Sequence, residues 1–157
     1  AASRRCPARL LSQYSSLTAR LSAWILCACI AVSTAVESAE LSVTITDLRS
    51  QEGDVHIAIY DNPAGFPKGD GMREEIQSPV NNGRALAIFK GLAPGQYAIA
   101  TFHDENDNDE FDQGFLGIPL EDFAFSSGAK AFFGPPSFKD AAFSLNGDTS
   151  LTISLGN

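Results

Sequence analysis

Hydrophobic and polar positions alternate along most of the chain beyond residue 40. Leu41, Val43 and Ile45 alternate with Ser42, Thr44 and Thr46, and Leu48 closes the run. A period of two places every second side chain on one face, so the spacing predicts a half-buried strand. The polar segment Arg49–Gly53 predicts a turn. Val55, Ile57 and Ile59 then alternate with His56, Ala58 and Tyr60. They predict a second strand, paired with the first as a hairpin, with His56 on its exposed side. Pro63, Gly65, Pro67, Gly69 and Gly71 break residues 61–71 into a long loop, with Phe66 tucked back onto the body. A short strand follows over 74–80, then an Asn82-Gly83 turn and a strand over 85–89. Gly91–Gly95 makes a tight connection into a strand over 96–102. Near the C-terminus, Phe138–Leu145 and Thr149–Leu155 alternate around Asn146-Gly147 and predict a hairpin. No helix of more than two turns is expected. Short strands at this spacing indicate an all-β fold, an antiparallel β-sandwich of about seven strands.

The first 39 residues follow another pattern. Arg4, Arg5, Arg9 and Arg20 form a basic start, and the run Leu21–Val36 carries no charge. Ser33-Thr34-Ala35 and Ser38-Ala39 offer small residues at which a signal peptidase cuts. The organisation expected is therefore a signal helix over 1–39 and one domain over 40–157. Two alternatives stay open. One is a retained membrane helix, for which the apolar run falls short of the ~20 residues a bilayer needs. The other is a lipoprotein, with Cys29 of Leu26-Cys27-Ala28-Cys29 as the lipidated residue. The expected location is periplasmic or extracellular, or membrane-anchored if the leader stays.

Cys6, Cys27 and Cys29 all lie in that leader, so the domain beyond it has no thiol and no disulfide. A core, a metal or both must stabilise it. The whole chain has 11 basic and 19 acidic residues, a net charge of −8. Residues 1–35 hold four of the bases and none of the acids, which leaves 7 bases against 19 acids, or −12, for the remainder. A surface this acidic argues against nucleic acid and anionic lipid as partners. It leaves cations, an envelope protein or a carbohydrate.

The acids are concentrated. Six of the nine residues from Asp104 to Asp112 are acidic and none is basic. Like charges this close either stay solvated or fold around a cation. Asp104, Asn106, Asn108 and Asp112 occupy relative positions 1, 3, 5 and 9, the oxygen spacing of a looped calcium site, and a backbone carbonyl near Glu110 would complete it. The candidate metal ligands are therefore Asp104, Asn106, Asn108, Glu110 and Asp112, with Ca2+ as the ion. The loop is not an EF-hand, because Asp109 stands where Gly makes the sharp turn and Phe115 where a bidentate Glu should sit. Phe111 and Phe115 are expected to pin it to the body.

Other chemistry is weakly signalled. His103 beside Asp104 offers a mixed metal ligand, but no zinc signature is present. Ser126 or Ser137 could be combined with His103 and an acid, yet no GxSxG elbow surrounds either. Paired carboxylates for glycoside hydrolysis need a set separation across a cleft, which one acidic run does not provide. Eight Phe residues between Phe111 and Phe143 serve as core and cover for a sheet or line an apolar groove.

Several local patterns occur in a distinctive order. Gly91-Leu92-Ala93-Pro94-Gly95-Gln96-Tyr97-Ala98 leads into His103-Asp104-Glu105-Asn106. Asp112, Leu116-Gly117-Ile118-Pro119, Glu121, Phe125-Ser126, Pro136-Ser137-Phe138 and Ala141-Ala142-Phe143 follow. From Leu41 to Leu155 this order resembles the DUF2141 family of exported bacterial proteins. The resemblance implies export and a compact β-sandwich of prealbumin-like type, and it implies no established activity. The family often has Gly inside the acidic loop, where Asp107 and Asp109 stand here. The function expected is an exported, non-enzymatic binding or structural module with calcium at residues 104–112. The alternative is an envelope hydrolase or carbohydrate-active protein using the same loop.

Overall fold

Eight strands and one short helix make up residues 37–156, the part of the chain that the computed structural model describes. The strands are β1 (Ala39–Thr46), β2 (Asp54–Tyr60), β3 (Glu74–Pro79), β4 (Ala85–Leu92), β5 (Gly95–Asp104), β6 (Phe123–Phe125), β7 (Phe143–Leu145) and β8 (Thr149–Ser154). The helix, α1, spans Phe138–Ala141. The leader expected over residues 1–39 lies almost wholly outside the described residues.

The strands form two sheets. One has the order β4-β1-β8; the other runs β3-β2-β5-β6, with β7 also paired to β5. The fold is thus mostly β, as the alternation predicts. Leu41, Val43 and Ile45 of β1 are fully buried, and so are Val55, Ile57 and Ile59 of β2. They share one core with Phe89 of β4, Ile99 of β5 and Ile153 of β8, so both sheets turn an apolar face to the same interior.

Three expectations need correction. β1 and β2 do not form a hairpin: β1 pairs with β4 and β8, and β2 with β3 and β5. Residues 47–53 carry the chain from one sheet to the other, and 146–148 do the same between β7 and β8. A period of two reports which face a residue takes and says nothing about its partner strand. The sheets are also not wholly antiparallel, since β1 and β8 run parallel from Leu41↔Thr149 to Thr46↔Ser154. Finally, the first half of the strand expected over Phe138–Leu145 is α1. Ser137 caps it, its Oγ accepting from the Asp140 amide at 3.4 Å and donating to Asp140 Oδ2 at 2.7 Å. Ser three residues before an acid is a helix-start signature, and here it overrides the alternation.

β2 is buried on both faces, not half-buried as its alternation suggests. Its outer side is covered at one end by a second cluster of Ala58, Tyr60, Phe66, Ala98, Phe125 and Ala141. Phe66 is tucked back as expected, its ring 5.1 Å from Tyr60, 5.8 Å from Phe125 and 5.9 Å from Phe138. Ser126 ties this cover down. Its Oγ accepts from the Ile99 amide at 2.8 Å and donates to the Ala141 carbonyl, both in the interior. Ser126→Ala strands that amide, and a buried donor left unpaired costs about 1–3 kcal/mol. Urea unfolding should show a loss of that size, and an unchanged midpoint would contradict it.

Candidate metal centre at the acidic end of the second sheet

The other end of the same outer face is polar. β2 begins at Asp54 where β5 ends at Asp104, and the two are register partners. Two residues further along β2, His56 lies opposite Phe102 of β5 and Gln77 of β3. Residues two apart on a strand share a face, so Asp54, His56 and Asp104 converge on the outer side. Gly53 permits this approach. Its φ is +65°, and a Cβ there would lie 1.8 Å from the Asp104 carbonyl oxygen.

Asp104 is fully buried. Its Oδ1 accepts from the Asn108 amide at 3.3 Å and its Oδ2 from the Asp109 amide at 2.7 Å. Burial acts to raise its pKa, but the amides of Asp109, Asn108 and Asp107 outweigh burial and hold it below the ordinary carboxylate value. The buried carboxylate thus organises the loop that follows it. Asp107 and Asp109 take positive φ, 58° and 61°, so the turn that Gly usually makes is made here by Asp.

His56 is 3 % exposed, which overturns its expected place on the solvent side. Its ring stacks on Phe102 at 4.5 Å and 15°. Nδ1 lies 3.1 Å from Glu75 Oε1, which can only accept, so Nδ1 carries the hydrogen. Nε2 then faces Asp54 Oδ1 at 3.5 Å, Asp109 Oδ1 at 3.7 Å and Asp104 Oδ2 at 3.8 Å. It makes no hydrogen bond, and neither does buried Asp54 Oδ1. The ligand atoms offered by Asp54, His56 and Asp104 lie within 4.8 Å of one another. Burial raises the pKa of Asp54. His56 works against this, while Asp104, Asp107 and Asp109 add to it.

Of the five loop residues expected as ligands, the side chains of Asn106, Asn108 and Asp112 are brought together, while those of Asp104 and Glu110 are placed otherwise. Asp104 faces inward to His56. Asn106 Nδ2 donates to Asp112 Oδ2 at 2.7 Å, and Asn108 Nδ2 reaches both Asp112 oxygens at 3.3 and 3.4 Å. Asp112 is therefore held by amide hydrogens inside the loop. Glu110 is exposed and is tied in through its backbone amide, which donates to Asn108 Oδ1 at 2.8 Å. Of the two aromatics, Phe111 packs on Phe102 and Phe123 at 5.3 and 5.7 Å, whereas Phe115 is 84 % exposed. Phe132 and Phe133 are exposed as well, so the Phe-rich stretch is only partly cover.

Glu121, which no ligand pattern singled out, is buried beneath the loop and accepts from the Asp112 amide at 3.0 Å. Its pKa is raised by burial, against which the Asp112 amide acts, with Asp104 and Asp112 adding to the rise. Arg49 forms a two-point pair with Glu105 at 2.7 and 3.2 Å and lies 3.6 Å from Asp122. That pair lowers the Glu105 pKa. Among the described residues, no Lys or Arg forms an ion pair with Asp54, Asp104, Asp109, Asp112 or Glu121.

His103 is turned away from the centre. Neighbours on a strand point to opposite faces, so it enters the core side, fully buried, with Nε2 2.8 Å from the Glu52 carbonyl. The sequence offered His103 as a mixed ligand, whereas the residues that the structure brings together are Asp54, His56 and Asp104. The Asp54-x-His56 spacing on a strand was a usable signal. Its pairing with Asp104 depends on β2–β5 register, which a single sequence does not reveal.

Residues 43–154 match the model of a family described as an uncharacterized protein conserved in bacteria, DUF2141. No curated protein and no solved structure matches the chain.

Proposed function

Since the chain belongs to the DUF2141 family, whose description names no activity, we propose a function from the site: an exported, non-enzymatic β-sandwich module whose acidic end takes a divalent cation. The observation that carries this reading is the uncompensated charge there. Asp54, Asp104 and Asp109 crowd around the unpartnered Nε2 of buried His56, with no Lys or Arg paired to them among the described residues. A dication would cancel that repulsion and tie the start of β2 to the loop after β5. Calcium is the hard-ion form of the reading. The core shared by the two sheets supports the sandwich, and the basic, then apolar, start of the sequence supports export.

A non-catalytic role is favoured by where the other groups are spent. Ser126 and Ser137 use their hydroxyls in the interior tie and the helix cap. Glu121 and Asp104 have pKa values pushed apart, as an acid–base pair requires, but both are buried. Two surface clefts, one lined by residues including Thr44, Ser78 and Arg84 and the other by residues including Glu37, Ser38 and Asp148, include neither of them.

Thermal unfolding tests the cation. At about ten times its Kd, a bound ion stabilises a fold by about 1.4 kcal/mol, on the order of 5 °C for a domain of this size. The metal-stripped protein should gain that much with excess dication and lose it with chelator. Identical melting curves across Ca2+, Mg2+, Mn2+ and Zn2+ would refute the reading. Export is tested separately by N-terminal sequencing of the native protein. A start near Val36 or Glu40 is expected, and a product retaining residue 1 in the membrane would contradict cleavage.

A further inference from the structure

We infer that Asp54 Oδ1, His56 Nε2 and Asp104 Oδ2 form a three-ligand core, with the Asp109 carboxylate beside it, that prefers a borderline transition-metal dication of the Zn2+ class over Ca2+. The inference rests on the cation reading above and adds the identity of the ion and its ligands.

Three observations carry it. First, the donor set is one imidazole nitrogen with two carboxylate oxygens, and a third carboxylate, that of Asp109, stands beside it. Calcium takes six to eight oxygens, whereas imidazole with carboxylates suits zinc and its neighbours. Second, the spacing fits. Bonds of about 2.0–2.1 Å in a tetrahedral site place ligand atoms roughly 3.3 Å apart. His56 Nε2 lies 3.5 Å from Asp54 Oδ1 and 3.8 Å from Asp104 Oδ2, and the three ligand atoms are within 4.8 Å of one another, so the core must contract to hold the ion, and Asp109 Oδ1, 3.7 Å from Nε2, must turn in to join it. Third, the imidazole is in the tautomer a metal needs. Glu75 takes the Nδ1 hydrogen at 3.1 Å, which leaves Nε2 as the nitrogen that faces the carboxylates, and Nε2 has no hydrogen-bond partner. A ligating histidine characteristically gives its other N–H to a carboxylate in this way.

The supports of this first layer are also in place. The Asn108 and Asp109 amides fix Asp104, Gln77 Nε2 holds Asp109 Oδ1 at 2.9 Å, and Phe102 fixes the plane of the His56 ring. Asp109 is the exposed member, its side chain 70 % exposed, and it offers a way in for the ion from solvent.

The test is 15N NMR of the two histidine rings in the full chain, stripped of metal and then titrated with Zn2+ or Ca2+. The cysteines elsewhere in the chain are alkylated beforehand so that they do not compete for Zn2+. Zn2+ should move His56 Nε2 at one equivalent and leave His103 unchanged. Ca2+ should bind at least tenfold more weakly and leave Nε2 in place. Asp109→Asn, an isosteric change at an exposed side chain, should weaken Zn2+ by about tenfold or more. Glu75→Gln should cost about 10–100-fold, the usual effect of removing a partner that orients a ligand. If Ca2+ binds at Asp104 while Zn2+ leaves Nε2 untouched, this inference falls and the cation reading stands. If no dication binds, both fall, and a protonated His56 among carboxylates is the remaining account.

Discussion

Gly53→Ala is expected to cost at least ~4 kcal/mol, a large share of the ~5–15 kcal/mol that holds an ordinary domain folded. The residue has φ +65°, where an L side chain is strained, and the new Cβ would sit 1.8 Å from the Asp104 carbonyl oxygen and 2.9 Å from its carbon. Those are backbone atoms at the last register pair of β2 and β5, so no side chain can swing aside. Relief requires that the strands part where Asp54 and Asp104 meet. Equilibrium denaturation in urea checks this. A midpoint within 1 M of wild type, at an m-value of about 1–3 kcal/mol/M, would mean the approach is looser than described.

Asp104→Ala is expected to cost about 2–4 kcal/mol in metal-free buffer. Two effects oppose each other. Deletion removes a buried charge surrounded by acids, which by itself would stabilise. It also strands the amides of Asn108 and Asp109, and hydrogen bonds to a charged group are worth about 1.5–3 kcal/mol each. The lowered pKa of Asp104 shows which effect prevails, because the charged form is favoured by the fold in spite of burial. Asp104→Asn keeps the shape and part of the acceptor capacity, so about half the loss is expected. The sign with pH follows. A carboxylate with its folded pKa below the ordinary 3.8 contributes stability that is complete above that value and disappears as pH falls through the folded pKa. The gap between wild type and Asp104→Ala should therefore be full at pH 7 and close in strong acid. A variant as stable as wild type at pH 7 would show that the carboxylate does not organise the loop.

Much of the fold is legible in the sequence because a half-buried strand writes its face into every second residue. Leu41, Val43 and Ile45 are fully buried, as their spacing predicts. What the spacing cannot convey is partnership. Two consecutive alternating runs can face one core from two sheets as readily as they can pair, and β1 and β2 do the former. β6, three residues long, is too short to carry a period. His56 falls on the polar phase of its strand, and polar phase implies solvent only when nothing covers that face. Here the loop after β5 returns over it. The acidic run was visible as an exceptional feature, with Asp104 at its start. Its direction was not visible, because the amides of a turn built on positive-φ Asp107 and Asp109 draw the carboxylate inward. Asn106, Asn108 and Asp112 satisfy one another, while Asp54 Oδ1 and His56 Nε2, on a distant stretch of chain, are among the buried polar atoms without a hydrogen bond.

The most direct test of a cation at this end of the sheet is anomalous diffraction from crystals of the protein grown with Zn2+ or Mn2+, collected at the metal's absorption edge. The account predicts one strong peak between β2 and the loop after β5, about 2.0–2.2 Å from carboxylate oxygens of Asp54 and Asp104. Saturating metal with no peak at that position would contradict it.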